Sequence, residues 1–256
     1  MGTMEPMDFT VLTLFPELAA AFFEHGMIHR GIESKLITGR CVNIRDFSND
    51  RHKTVDDRPY GGGSGMVMKP EPLEAAICFA KKRTPEAKVL LMTPQGTRFD
   101  QKKACELADR REGLIFVCGR YEGIDERVYT QLVDEEISIG DYVMTGGELA
   151  AMAIIDSVAR LIPGVLGCEA SSQSDSFIDD RLEYAQYTRP EVHNDLKVPG
   201  VLLSGNHEQI RQWRKTSSLQ RTFMKRPDLF ETHPPTAEEK KILRQWCREL
   251  ETLVNP

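Results

Sequence analysis

Residues Leu114 to Cys118 read Leu-Ile-Phe-Val-Cys, five apolar side chains with no polar interruption. A strand with one wet face alternates polar and apolar residues, so an unbroken run suits a central strand buried on both faces. Such a sheet needs helices on each side, and the flanking sequence supplies candidates. Phe9 to Phe15 alternates, is rich in bulky residues, and predicts a first strand closed by Pro16. Pro16 to Arg30 carries Leu18, Ala19, Phe22, Phe23 and Met27 near the 3.6-residue period and predicts one helix. Cys41 to Ile44 and Val89 to Met92 predict further strands. Pro72 to Arg83, Asp100 to Arg111 with Asp100 as N-cap, and Glu126 to Val133 predict helices. Gly147 to Ile162 is apolar nearly all round, which predicts a buried helix stopped by Pro163-Gly164. The expected fold class is α/β, a mostly parallel sheet with helices on both faces.

Composition narrows the function classes. Of 256 residues, 40% are hydrophobic and 28% charged, which excludes a disordered or collagen-like chain. No apolar run approaches the ~18 to 20 residues that cross a bilayer, so no membrane association is expected. The first segment carries Glu5 and Asp8 and lacks a basic n-region, unlike a signal peptide. A start at Met7 is expected, and residues 1–6 are given no structural weight. The six cysteines are scattered without a CxxC pair, which reads as reduced thiols in a cytoplasmic protein with no metal site.

Charge and composition change along the chain. Residues 1–188 hold 21 basic and 30 acidic side chains; residues 189–256 hold 12 and 9. Ser171, Ser172, Ser174 and Ser176 alternate with Asp175, Asp179 and Asp180, with few apolar anchors. Three parts are therefore expected: a body over 7–167, a flexible linker over 168–188 and a small, mainly helical domain over 189–256. In the last part, Val198 to Leu203 reads as extended and Asn206 as the cap of a helix bearing Ile210 and Trp213. Thr236 and Glu239 form a capping-box pattern before a final amphipathic helix. From Asn206 to Arg226, Arg211, Arg214, Lys215, Arg221, Lys225 and Arg226 face one acid, Glu208. That excess fits a phosphate-contacting surface or, equally by pattern, a solvated helix face.

Three glycine-containing turns stand out: Thr93-Pro94-Gln95-Gly96, Gly119-Arg120-Tyr121-Glu122-Gly123, and Ser138-Ile139-Gly140-Asp141-Tyr142 running on to Gly146-Gly147-Glu148. In an open α/β sheet ligands bind beyond the carboxyl ends of strands, where glycines let backbone approach closely. None is GxGxxG and no GxxxxGK[ST] occurs, so neither a Rossmann dinucleotide site nor a P-loop is supported.

These turns, with Val55-Asp56-Asp57-Arg58-Pro59-Tyr60-Gly61-Gly62-Gly63-Ser64-Gly65-Met66 and Val201-Leu202-Leu203-Ser204-Gly205-Asn206-His207, resemble the bacterial tRNA (guanine-N1)-methyltransferases of the trefoil-knot (SPOUT) class. The resemblance spans about Met7 to Arg226. It implies a deep knot around Gly119 to Gly147, S-adenosylmethionine as cofactor, the guanine at tRNA position 37 as target, and a homodimer whose active site lies at the subunit interface. Matching the motifs residue by residue assigns the cofactor to Pro94, Gly96, Gly119, Tyr121, Glu122, Ile139, Gly140, Asp141, Tyr142, Val143, Met144, Gly146 and Gly147. RNA contacts are expected from Asp50, Asp57, Gly61, Arg211, Arg214, Lys215 and Arg221, the last four toward the anticodon stem.

The chemistry asks for two more groups. Guanine N1 carries a proton at neutral pH, so a general base must remove it and a cation should steady the charge on the neighbouring carbonyl oxygen. The resemblance assigns these roles to Asp175 and Arg160. Read alone, Asp175 is one more solvated carboxylate, and Arg160 is a helix-end cation favoured by the macrodipole. No ligand cage is spelled out for magnesium, which would act through RNA or a few carboxylates. Two other readings stay open: a related knotted methyltransferase with a different RNA target, and a non-catalytic RNA-binding protein.

Overall fold

Strand β1 (Met7–Thr13) is buried along its whole length and pairs in parallel with β2 (Ile37–Asn43) on one side and β6 (Leu114–Cys118) on the other. Beyond β6 lie β5 (Lys88–Arg98) and β7 (Glu135–Ser138), so the sheet runs β2-β1-β6-β5-β7 with every pair parallel. This computed structural model describes residues 5–166 and 175–254. All five residues of β6 are buried, as the apolar run requires.

Alternation sorts the side chains onto two faces. Met7, Phe9, Val11, Leu90, Met92, Leu114, Phe116 and Cys118 meet α1 (Pro16–Phe23), α2 (Gly26–Glu33), α4 (Gln101–Arg110) and α6 (Glu148–Ala159). Leu12, Val89, Leu91, Ile115 and Val117 meet α3 (Pro70–Arg83) and α5 (Glu126–Leu132) on the other face. Asp8 is the one acid buried within β1. It accepts from Thr10, Thr38, Arg40 and Thr84, which satisfies both oxygens.

Several expectations are corrected. The single helix over 16–30 is two, broken where Gly26 takes φ +67°. Val89 to Met92 is only the start of an eleven-residue strand. Strand β7 was not expected at all: Glu135-Glu136-Ile137-Ser138 is short, lies at the sheet edge and shows no alternation. The long loop from Arg45 is braced by a two-residue antiparallel pair, β3 (Asp56–Asp57) with β4 (Val67–Met68). Asp100 caps α4 as predicted, accepting from the Lys103 amide at 2.8 Å.

The chain divides into two compact units, 1–172 and 173–256. The second contains a small hairpin, β8 (Val192–His193) with β9 (Leu196–Lys197), and helices α7 (Gly200–Leu203), α8 (His207–Lys225), α9 (Asp228–Thr232) and α10 (Ala237–Val254). Val198 to Leu203 is thus partly helical, α7 starting after Pro199. Of the expected linker over 168–188, residues 168–174 lie outside the described residues. Its later part is tied to helices of the second unit: the Leu182 amide donates to Thr222 Oγ1 (2.9 Å), the Ala185 amide to Ser217 Oγ (3.0 Å), and Arg181 pairs with Glu239 (3.0 Å).

Candidate functional site

Strand β5 makes the first wall of a cleft. Met92 and Thr97 both register with Ile137 of β7, so Thr93 to Gly96 bulges out of the ladder beyond the sheet. Pro94 and Gln95 project from the bulge into a cleft of about 360 Å³ at the carboxyl ends of β5, β6 and β7. Gly96 turns the other way: a Cβ there would collide with the backbone of Glu136 and Ile137. It lets two strands approach and does not line the cleft.

The other walls come from the two remaining glycine turns. Gly119, Arg120, Tyr121, Glu122 and Gly123 follow β6, with Tyr121 held at φ +60°, an uncommon conformation for a bulky residue. Ser138 fixes the third turn from inside, donating to the Gly140 carbonyl (3.0 Å) and accepting from its amide (3.2 Å). Ile139, Gly140, Tyr142, Val143, Met144, Gly146 and Gly147 line the cleft from this side. The Gly147 amide donates to the Gly119 carbonyl at 3.1 Å and closes one loop on the other. Thus every residue assigned to the cofactor lines the cleft except Gly96 and Asp141, and Asp141 is exposed.

Sequence reasoning missed lining residues that lie outside the glycine motifs. Tyr129 of α5 faces the cleft, its hydroxyl 3.4 Å from Thr93 Oγ1, and burial pushes its phenol above the ordinary value. Its only signal was its place one helical turn beyond Asp125, which caps α5. Arg120 stood inside a recognised motif without a role. Its guanidinium meets Glu148 and the Thr145 carbonyl.

Next to the cleft, the loop from Asp56 is stitched to the Gly119 turn. The Glu122 amide donates to the Met66 carbonyl (3.0 Å), and the Met68 amide to that of Gly123 (2.9 Å). Asp50 sits ahead of this loop. Its carboxylate closes its own turn, accepting from the amides of His52 (2.7 Å) and Thr54 (3.1 Å), and the Thr54 amide first among these donors holds it below the ordinary value. Asp57 accepts from the Arg58 amide at 2.7 Å, and Gly61 lies in the exposed glycine run.

Arg160 is the C-cap residue of α6 in the first unit; Asp175 opens the described part of the second. In the second unit the basic face of α8 is less bare than its own sequence implied. Arg211 pairs with Glu208, Lys215 with Glu238 (2.7 Å) and Arg226 with Asp228 (2.7 Å). Two of these acids come from outside the segment whose charge was counted. Arg214 lies over the Tyr184 ring at 4.8 Å, beside the Tyr187–Trp213 pair, while Arg221 is half-buried with its Nε enclosed.

The family model for tRNA (Guanine-1)-methyltransferase TrmD matches residues 7–232. The chain belongs to this family. A protein of Actinobacillus succinogenes named tRNA (guanine-N(1)-)-methyltransferase is 56% identical over 236 residues, 92% of this chain and 96% of its own length. Proteins of the same name from Edwardsiella ictaluri and Geobacillus kaustophilus are 53% identical over 240 residues (93% of this chain, 94% of the relative) and 49% over 245 (96% and 100%). The matched span takes in the whole cleft and ends before α10 begins. Among the described residues no helix is long and apolar enough to cross a membrane, and no group of three His, Cys, Asp or Glu could hold a metal ion.

Proposed function

We propose that this chain transfers a methyl group from S-adenosylmethionine to N1 of the guanine at position 37 of tRNA, beside the anticodon. The observation that carries the proposal is the cleft itself: three separate family motifs, each uninformative as an isolated glycine turn, converge on one cavity at the carboxyl ends of β5, β6 and β7. Its lining suits the cofactor. Ile137, Ile139 and Met144 offer an apolar slot for a purine, the turns expose backbone donors and acceptors, and Glu122 and Glu126 supply negative charge for a cationic ligand. When bound, S-adenosylmethionine supplies a methyl group on a sulfonium that is already a good electrophile.

The protein's own work is then positioning and proton removal. Asp175 takes the N1 proton of the guanine, freeing the lone pair in the ring plane. Arg160 steadies the negative charge that develops on the adjacent carbonyl oxygen. The loop from Asp56 to Met66 contributes backbone and Asp57 to the guanine, and the α8 face carrying Arg211, Arg214, Lys215 and Arg221 meets phosphates of the anticodon stem. A trefoil knot, a homodimer with a shared active site and a cytoplasmic setting belong to the same reading and are supported by family membership. Ribose methylation is the less favoured alternative, because a ribose hydroxyl offers no ring-nitrogen proton for Asp175 to take.

The test is to incubate the protein with unmodified tRNA transcript and methyl-labelled cofactor, then digest and identify the labelled nucleoside. N1-methylguanosine mapping to position 37, and lost when that guanine is replaced, is the expected result. Label in a ribose or in another base overturns the proposal.

A further inference from the structure

Arg120 of the cleft wall pairs, behind that wall, with a buried carboxylate that the proposed reaction does not use. Glu148, in the first turn of α6, is 1% exposed, yet it does not line the cleft. One carboxylate oxygen accepts from Thr13 Oγ1 at the end of β1 (2.6 Å) and from Arg120 Nε (3.2 Å); the other lies 2.9 Å from Arg120 Nη2. Arg120 in turn donates through Nη1 to the Thr145 carbonyl (3.2 Å), and its guanidinium covers the Phe15 ring at 4.4 Å. The backbone of Arg120 bridges Gly146, where a Cβ would collide with the Arg120 side chain. The guanidinium therefore ties the Gly119 turn to the Thr145 carbonyl and, through Glu148, to the start of α6.

We infer that Glu148 is a positioning residue for cofactor binding: it holds Arg120 so that the two glycine turns on either side of the cleft keep a fixed separation. The inference rests on reading the cleft as the S-adenosylmethionine site. An apolar pair could fill the same space without the desolvation cost of two charges. It could not reach the Thr145 carbonyl, and that hydrogen bond requires a donor whose direction is set. Glu148 sets it by accepting from Arg120 Nε and by holding Nη2 through charge at 2.9 Å, and the amides at the start of α6 favour its charge. With Glu148 neutral, the guanidinium, 17% exposed, loses its counter-ion and turns toward water, releasing Thr145 and the loop behind it.

The experiment measures cofactor dissociation constants by isothermal titration on the full chain, with tRNA affinity measured separately without cofactor. Glu148→Gln keeps size and shape; it should weaken S-adenosylmethionine binding by about tenfold or more, raise the KM for cofactor, and leave tRNA affinity unchanged. Arg120→Gln should do the same, and the double variant should be no worse than either alone, since both remove one element. A merely structural role would lower the binding-competent fraction, read as stoichiometry, and leave the dissociation constant of the folded protein untouched. Where Glu148→Gln does not fold, Thr13→Val removes one donor to the same carboxylate from outside the cleft and should still weaken cofactor binding. Unchanged cofactor affinity in the folded variants overturns the inference while leaving the reading of the cleft intact. A wild-type chain that binds no S-adenosylmethionine removes that reading, and this inference falls with it.

Discussion

The two units are held together by opposite means. In the first, a five-stranded parallel sheet is buried on both faces by apolar side chains, and the few buried charges, Asp8 and Glu148, each face an arginine. In the second, the described residues that are buried are Arg181, Ser217, Leu219 and Thr222, three of them polar. Arg181 is the centre of that arrangement. It donates to both Glu239 oxygens and to the carbonyls of Asp180 and His233, and stacks on Phe230 at 4.5 Å. A layered α/β unit has enough apolar area to define its fold by burial. A small helical unit of this composition relies on directed hydrogen bonds, so its integrity depends on single polar groups.

The largest effect expected separates chemistry from both kinds of packing. Asp175→Ala should reduce methyl transfer by about a thousandfold while cofactor binding to the first unit stays intact; joint loss of both would make Asp175 structural. Next, Phe116, wholly buried at the centre of β6, should cost the first unit ~3–5 kcal/mol when cut to alanine, because the cavity cannot collapse within a sheet. Chemical denaturation followed by probes in each unit should show that loss in the first unit only. Arg181→Ala should produce the reverse, about 3 kcal/mol from the second unit, since Glu239 is left without its partner. A second unit that tolerates Arg181→Ala would break the contrast between the two.

The same contrast explains what the sequence disclosed. Leu114 to Cys118 announced a two-sided sheet because burial by apolar layers is written directly in composition. The cleft was legible only as separate motifs: that Thr93 to Gly96 bulges out between two registers with Ile137 is a pairing fact, invisible along the chain. Strand β7 escaped because two glutamates occupy half of it, and at the sheet edge Glu135 reaches both Lys88 and Lys103. Arg181 escaped for a related reason. A Ser- and Asp-rich stretch reads as solvated linker unless one knows that Glu239, far along the chain, will meet it. Local signals fared better: Asn206 accepts from the Gln209 amide, and the Thr236–Glu239 capping box forms in both directions.

Acid should sharpen the comparison. Burial pushes Glu239 upward, but Arg181 and the Thr236 amide outweigh it and hold the carboxyl below its ordinary value. A depressed carboxyl stabilises the fold above its unfolded-state value near 4.5 and ceases to do so as pH falls through its folded value. The second unit should therefore lose stability below about pH 4.5. Glu239→Gln should flatten that fall, with exposed Asp228, held low by Arg226, leaving a smaller residue of it. An unchanged acid slope would show that Glu239 is not the group through which protons act.

The smallest effect tests the same carboxylate from its other side. Glu239 Oε2 accepts from the Thr236 amide at 2.7 Å while Thr236 Oγ1 accepts from the Glu239 amide at 3.3 Å. Thr236→Ala removes only the second of these bonds and should cost the second unit ~1 kcal/mol. Arg181 still grips Glu239 in that variant, so the loss should add simply to any change made in the first unit and couple strongly to Arg181→Ala. Coupling near zero in a double-mutant cycle would mean that cap and ion pair act independently. The second unit would then be held by separate local contacts, and Arg181 would not be its centre.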